Sequence, residues 1–345
     1  MTQSSDIRSC GINLRQWYVV ARSVQLQDQP LNLTLWKEEI VLYRDETGKV
    51  QALEDRCPHR QVQLSQGRVV GNQLECAYHG WCFDSEGNCT SIPYLRPKQK
   101  LPPCQIRRYR VQELDGFIWL FLGEGEPESV PPLRIPEWDH LNYIATVSVI
   151  ECKAHYSFLI ENLMDMYHGH LHQDYQAWTS AILKEVRADD KRVDAYYEIQ
   201  SYYRIDKIWS MAQLFFPAAR RLHPEPLHVS YVYPHWVSTL GQDFKIYCLF
   251  CPVHETYTRA YLVHFTSLNA FWCLHKLPVW FRRLVKNSLF GCAQRMLDGL
   301  VHQDVVMMEQ EQQAYLENPT RRSYELNPTV KTVQRLIRQQ ADTHS

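Results

Sequence analysis

The fold of the N-terminal part of the chain is decided by two short stretches, Cys57-Pro58-His59 and Cys76-Ala77-Tyr78-His79. Each loop offers one thiolate and one imidazole. Two Cys and two His suit a [2Fe–2S] cluster in which the Cys pair binds one iron and the His pair the other; the neutral imidazoles raise its reduction potential. The same set suits a structural zinc ion, but zinc loops usually pair Cys with Cys as C-x-x-C. One ligand of each type per loop therefore favours the cluster, with Cys57, His59, Cys76 and His79 as ligands.

A second group of metal-binding side chains lies further along, in HYSFLIENLMDMYHGHLH (155–172). Apolar residues at three- and four-residue steps predict one helix here, which carries Asn162, Asp165, His168 and His172. The two His are four residues apart and would share a helix face. With one carboxylate they would form the facial triad of Fe(II) oxygenases. A His pair on an amphipathic helix is by itself more often not a metal site, and the upstream Cys/His loops change that balance.

The loops CPHR and CAYHGW, together with this helix, resemble Rieske non-haem iron oxygenases, their catalytic α subunits in particular, from about Trp17 to Gln313. The resemblance implies a terminal oxygenase with a Rieske [2Fe–2S] cluster, a mononuclear Fe(II) and O₂ as co-substrate. In that family a run Asn-x-x-Asp-x-x-His-x-x-x-x-His supplies two iron ligands. His168 matches the first. The second would fall on Gln173, so we assign His172, with His170 and Gln173 as open alternatives.

The family's carboxylate ligand comes from a late helix, often in a Gln-Asp run followed by apolar residues. Val301–Glu309 matches that run and makes Asp304 the predicted third ligand, with Asp298, Glu309 and Glu311 as competitors.

The resemblance also gives Asn162 and Asp165 catalytic roles. Asp165 would bridge His79 of one subunit and His168 of the next, which implies a ring-shaped oligomer, most often a homotrimer. The first Cys/His loop, which carries Cys57 and His59, departs from the family's pattern at Gln61-Val62-Gln63, where relatives commonly carry small residues.

The predicted fold class is α+β. An N-terminal segment (1–16) precedes an all-β Rieske domain (17–125), which is followed by a helix-grip-like catalytic domain (126–345) with an antiparallel sheet and helices. Strand-forming clusters fill the first domain, a connector rich in Pro, Gly and acidic residues follows, and the last third is helical, with Asn327-Pro328 as a helix start.

Composition narrows the function classes. The net charge of −1 gives no electrostatic reason to expect nucleic acid as a partner. The start carries no secretory signal, no 18-residue apolar run occurs, and the cysteines do not form a disulfide pattern, so the cytoplasm is the expected location. Cys248-Leu249-Phe250-Cys251 lies in a predicted strand, where both thiols are expected to be buried and not redox-active.

The electrons are expected from a separate ferredoxin or flavin reductase, because the sequence has no G-x-G-x-x-G of a nucleotide site. Arg56, Arg60 and Arg68 are candidates for docking an acidic donor, or simply solvated charges. The resemblance implies monooxygenation, in hydroxylation or demethylation, over cis-diol formation, because short α-only members of that family mostly act as monooxygenases and this chain has 345 residues. The competing hypotheses are a Rieske electron carrier with a non-catalytic second domain and a zinc-binding scaffold.

Residues 268–300 interleave aromatic and basic side chains, and from Pro278 they read as a basic amphipathic helix. Such a helix either lies on an anionic membrane surface or packs on the core and delivers Asp304. The first alternative would indicate peripheral membrane contact and a large hydrophobic, ring-containing substrate such as a terpenoid, sterol, carotenoid or tetrapyrrole.

Overall fold

The computed structural model describes residues 6–96, 98–125, 131–172, 178–201, 222–241, 244–268, 276–321 and 323–342. Within these ranges the side chains of 170–171, 178–179, 283 and 285–297 are not described. The chain divides into two compact units. The first unit is Leu14–Arg134, and the second contains the described residues up to Asn13 together with those from Ile135 onward.

The first unit is built from three small antiparallel sheets. Their strands are β1 (Trp17–Arg22), β2 (Leu31–Leu35), β3 (Glu38–Arg44), β4 (Val50–Glu54), β5 (Arg68–Val70), β6 (Gln73–Glu75), β7 (Cys82–Phe83), β8 (Cys89–Ser91), β9 (Arg110–Leu114) and β10 (Phe117–Phe121). All five residues of β10 are buried. Asp115 and Gly116, both with positive φ, form the two-residue turn that joins β9 to β10, as Asp-Gly typically does.

The second unit is one seven-stranded antiparallel sheet with the order β11-β17-β16-β15-β14-β13-β12. Its strands are β11 (Tyr143–Cys152), β12 (Trp178–Ala188), β13 (Arg192–Ser201), β14 (His223–Val232), β15 (His235–Leu240), β16 (Phe244–His254) and β17 (Tyr257–Ser267). The described helices are α1 (Tyr156–Met164), α2 (Val279–Glu317) and α3 (Pro328–Asp342).

The register of the central strands brings alternate residues to one face. Trp236 pairs with Cys248 and Cys248 with Leu262, while Ser238 pairs with Ile246 and Ile246 with His264. Directly paired residues share a face, so these two rows form one continuous surface of the sheet.

The N-terminal segment belongs to the second unit. Arg8 forms an ion pair with Glu161 of α1 at 2.7 Å and lies over the Phe158 ring. The backbone N–H of Asn13 donates to the hydroxyl of Tyr233. The segment thus packs along the helix that carries Asn162.

The α+β fold class is confirmed. One expectation about secondary structure was wrong: residues 155–172 are not one helix. Helix α1 stops at Met164, Asp165 has extended backbone angles (φ −94°, ψ 101°), and a separate 3₁₀ turn runs over Met166–Leu171. The Asp165 carboxylate accepts from the N–H of Tyr167, and this local cap competes with continuation of the helix.

The predicted start of the last helix is confirmed. Asn327 Oδ1 accepts from the N–H of Thr329, and Pro328 is the first residue of α3. Among the described residues, no helix combines the length and the apolar composition needed to cross a bilayer.

Candidate cluster loops and iron site

The two Cys/His loops of the first unit have the same backbone hydrogen bonds. The carbonyl of Cys57 accepts from the N–H of Gln61, and the carbonyl of Cys76 accepts from the N–H of Gly80. The N–H of each Cys in turn donates to a carbonyl five residues on, that of Val62 or Trp81. Both loops are therefore tight turns of one geometry, each of which presents a Cys and a His.

The side chains pair by type. The His59 and His79 rings have centroids 4.5 Å apart, and Trp81 stacks on His59 at 4.8 Å. Cys57 and Cys76 are both buried, and burial together with the nearby Cys76 raises the pKa of the Cys57 thiol to about 12. A Cys pair beside a His pair is the arrangement that a Rieske-type cluster requires.

Two observations test whether these residues fit a cluster. His59 Nδ1 is buried with no hydrogen-bond partner, which leaves a ligand atom to be satisfied. Among the described residues, one group of His, Cys, Asp or Glu side chains brings three ligand atoms within 4.8 Å of one another. That group is His168, His172 and Asp304. The four loop side chains do not converge on a single point in this way. They therefore fit two irons better than one tetrahedral zinc.

Gln61 and Gly80 occupy equivalent positions in the two loops, with φ of 60° and 68°. A Cβ on Gly80 would lie 2.9 Å from Pro93 Cγ. We expect Gly80→Ala to lower the free energy of unfolding of the holoprotein by about 1–2 kcal/mol. Gln61→Gly should change it by less, and in the stabilising direction, because relief of the left-handed backbone exceeds the added unfolded-state entropy. Thermal unfolding followed by cluster absorbance measures both, and equal signs would contradict the assigned loop geometry.

In the second unit, the three predicted iron ligands lie together. Asp304 Oδ1 is 3.1 Å from His172 Nε2 and 3.6 Å from His168 Nε2. Asn162 Nδ2 lies 3.4 Å from the same carboxylate oxygen and 3.5 Å from His168 Nε2. The two His come from the 3₁₀ turn and its end, not from a regular helix as expected, yet they still face one carboxylate.

The electrostatics of the trio suit a divalent cation. Burial raises the pKa of Asp304, but its hydrogen bonds to the two imidazoles outweigh burial and lower it to about 2. The carboxylate is therefore ionised at neutral pH. Two neutral imidazoles and one carboxylate are the donor set of mononuclear non-haem iron.

Gln303 was not anticipated as a functional residue. Its Oε1 is 2.9 Å from His172 Nδ1. An amide oxygen only accepts, so Nδ1 carries the proton, and Nε2 is the atom that would ligate a metal ion held together with Asp304. The Gln-Asp run was the available signal, although nothing in the spacing linked Gln303 to His172.

The other carboxylates considered as the third iron ligand have different surroundings. Asp298 accepts from the Ser148 hydroxyl at 2.6 Å, and Glu309 accepts from the backbone N–H of Lys153. Neither these two nor Glu311 belongs to the converging group. Gln173 and the side chain of His170 lie outside the described residues.

A cavity of about 150 Å³ lies between the sheet face and the segments that carry the trio, which are the 3₁₀ turn and α2. His168, His172 and Asp304 form part of its wall, and most of the rest is apolar. Cys248 belongs to that wall, while Cys251 is also fully buried, and burial raises the pKa of the Cys251 thiol to about 12. Both stay protonated, as expected for thiols that are not redox-active.

Comparison with known proteins identifies the class. Residues 16–110 match the family model of the Rieske [2Fe-2S] domain, and residues 152–343 match that of the vanillate O-demethylase oxygenase C-terminal domain. The chain is 32% identical over 342 residues to the 4beta-methylsterol monooxygenase of Methylococcus capsulatus, covering 96% of this chain and 89% of the relative.

A second relative is the oxygenase component of dicamba O-demethylase from Stenotrophomonas maltophilia, 32% identical over 194 residues, with 53% of this chain and 55% of the relative covered. The crystal structure of dicamba monooxygenase bound to 3,6-dichlorosalicylic acid superposes with a TM-score of 0.75 at 22% identity, over 96% of this chain and 99% of that one. That likeness concerns the fold.

The chain belongs to the Rieske non-haem iron oxygenase family. It is an enzyme of the terminal-oxygenase class, and its cofactors are a Rieske [2Fe–2S] cluster and a mononuclear iron. The family match favours this class over an electron carrier with a non-catalytic second domain.

Proposed function

We propose that the chain is a monooxygenase that hydroxylates or demethylates a hydrophobic, ring-containing substrate. The cluster is held by Cys57, His59, Cys76 and His79, and the iron by His168, His172 and Asp304. The observation that carries the proposal is the convergence of the three iron-ligand atoms within 4.8 Å on the wall of an apolar cavity. When bound, the two centres supply electrons and activate O₂.

The protein's own contribution is orientation and exclusion of water. Gln303 fixes the His172 tautomer, and Asn162 lies within 3.5 Å of both Asp304 and His168. Apolar side chains such as Leu159 and Leu262 line the cavity and favour burial of a hydrocarbon ring beside the trio.

The substrate class draws further support from the relatives. The protein of Methylococcus capsulatus is by name a monooxygenase of a methylated sterol, and the dicamba enzyme is by name an O-demethylase. We infer that this chain oxidises a methyl or ring C–H position on a hydrophobic ring system.

The test is O₂ uptake by the holoenzyme with a generic ferredoxin–reductase pair and a panel of 4-methylsterols, triterpenoids and small aromatic acids. We expect uptake with hydroxylated or demethylated product for a ring substrate of the hydrophobic set. Turnover of small polar aromatics alone would overturn the proposed substrate class.

We further propose that Asp165 connects the two centres across a subunit interface, between His79 of one subunit and His168 of the next, in a homotrimer. Its Oδ1 accepts from the N–H of Tyr167 and from Asn327 Nδ2, each at 2.9 Å. Both bonds end on one oxygen, which leaves Oδ2 for an imidazole. A cyclic assembly is the simplest one that repeats such a contact in every subunit.

The electron donor is proposed to be a separate ferredoxin or flavin reductase, as the name "oxygenase component" indicates for the dicamba relative. The arginines near the cluster are not equally available to it. Arg56 pairs with Glu39 at 3.4 Å and Arg68 with Glu75 at 2.9 Å, whereas Arg60 is exposed and forms no ion pair among the described residues. Arg60 is therefore the best-placed of the three for an acidic donor.

A cytoplasmic location and peripheral membrane contact through 268–300 both stay predictions. Residues 269–275 of that segment lie outside the described residues. In the described part, helix α2 begins at Val279, and Trp280 is 68% exposed. This exposure supports a contact surface at the start of α2.

Gln303 gives a test of the iron site itself. We expect Gln303→Leu to weaken iron binding about 10- to 100-fold, because the His172 tautomer is no longer fixed. Gln303→Glu, which keeps an acceptor at the same place, should retain most of the affinity. Iron titration of the chelator-treated holoprotein measures this, with the cluster spectrum as the control for folding. Equal affinity of the Leu variant and the wild type would contradict the assigned role.

A further inference from the structure

The sheet side of the cavity carries two polar side chains in an otherwise apolar surface. Ser238 of β15 and His264 of β17 both line the cavity, and both flank Ile246 of β16 in the strand register. The two strands that carry them are separated by one strand, so the side chains are roughly 10 Å apart at their bases. Apolar neighbours in the same wall include Ile246, Leu240 and Leu262.

Among the described residues, neither the Ser238 hydroxyl nor the His264 imidazole has a hydrogen-bond partner, and neither is among the polar atoms sealed from solvent. Both therefore remain reachable from the cavity. A polar group left without a partner in an apolar wall costs stability, and a ligand atom that bonds to it recovers that cost.

The described part of the wall is uncharged on the sheet side of the cavity. No Lys or Arg is among the described residues that line the cavity. Burial lowers the pKa of His264 to about 4, so the imidazole is neutral at physiological pH. A neutral imidazole and a hydroxyl each offer one donor and an acceptor. They match an uncharged oxygen, whereas a carboxylate would be buried here with no described Lys or Arg in the wall to pair with it.

We propose that Ser238 and His264 form a recognition site for an uncharged hydroxyl or carbonyl oxygen on the ring substrate, and that they select against ring carboxylates. The proposal rests on the proposed function. The substrate's ring would lie beside the iron trio, and Ser238 and His264 would bind its polar end. The substrate class then narrows to ring alcohols or ketones.

The test is binding under anaerobic conditions to the holoenzyme, which keeps it separate from turnover. The probes share one skeleton: trans-2-decalol, trans-decalin and trans-decalin-2-carboxylate. Equilibrium dialysis with detection by gas chromatography gives each dissociation constant. We expect the alcohol to bind about tenfold more tightly than the hydrocarbon, as one to two net hydrogen bonds would give, and the carboxylate to bind least.

Ser238→Ala and His264→Phe should each reduce the preference for the alcohol to a few-fold, and the double variant should abolish it, with the hydrocarbon affinity little changed. His264→Gln, which keeps a donor and an acceptor, should restore part of the preference. Thr239→Val removes a hydroxyl from the opposite face of the same strand and should leave all three constants unchanged.

Tighter binding of the carboxylate than of the alcohol, or an alcohol preference that survives in the double variant, would overturn the proposal. So would equal affinity for all three probes, including no measurable binding of any. If the preference holds but no ring substrate is oxidised, the proposed function fails while the recognition site stands.

Discussion

Replacement of His168 by Ala is expected to abolish substrate-dependent O₂ uptake and to remove about one iron per chain, while the [2Fe–2S] spectrum stays. His168 Nε2 is one of the three ligand atoms of the trio, and two remaining ligands hold a divalent ion far less well. The cluster ligands belong to the other unit, so their spectrum should not change. Iron analysis, visible absorbance and O₂ uptake on the same preparation measure all three.

The matched control is His254→Ala. His254 lies at the turn between β16 and β17, accepts a hydrogen bond from Thr256 and takes no part in the trio. Its replacement should leave iron content and turnover unchanged. If His168→Ala keeps its iron and its activity, the assignment of the iron site is wrong.

Replacement of Asp165 by Asn is expected to slow electron transfer from the cluster by about 100-fold, the upper end of the effects seen for groups that orient metal ligands. The amide oxygen still accepts from Tyr167 and Asn327, so the local fold is kept. The carboxylate oxygen that would hold an imidazole becomes an N–H₂ group, which cannot accept. Stopped-flow absorbance of the pre-reduced holoenzyme, mixed with O₂ and substrate, follows reoxidation of the cluster.

Asn327→Ser provides a graded second variant. Ser caps a helix N-terminus nearly as well as Asn, so α3 should remain intact. The shorter side chain loses the 2.9 Å bond to Asp165 Oδ1 and leaves that carboxylate less fixed. We expect reoxidation about 5- to 10-fold slower with unchanged iron content, and a slightly lower melting temperature because one partly buried hydrogen bond is lost. Wild-type reoxidation rates in Asp165→Asn would contradict the proposed bridge.

The candidate ligand residues could be predicted from the sequence because each kind of candidate ligand carries its own local signal. Cys57-x-His59 and Cys76-x-x-His79 define two loops by spacing alone, and the structure confirms two turns of one geometry. Asp304 was chosen from four carboxylates on one helix because of its Gln-Asp context, and the structure brings Asp304 to the His pair.

The break at Asp165 could not be predicted from periodicity. Apolar residues continue at helical spacing through Met166, so the pattern favours one helix, whereas the Asp165 side chain caps the next turn and ends the first. Gln303, Ser238 and His264 were missed for a different reason. Their roles depend on contacts between elements far apart in the chain, and strand register alone places Ser238 and His264 on the cavity side.

Whether one chain carries two separate iron centres is decided by the ratio of iron to acid-labile sulfide in the purified wild-type holoprotein. Two centres require about three irons and two sulfides per chain, in a protein with the brown-red colour of a Rieske cluster. Two irons with two sulfides, or zinc without sulfide in a colourless protein, would contradict the presence of two centres.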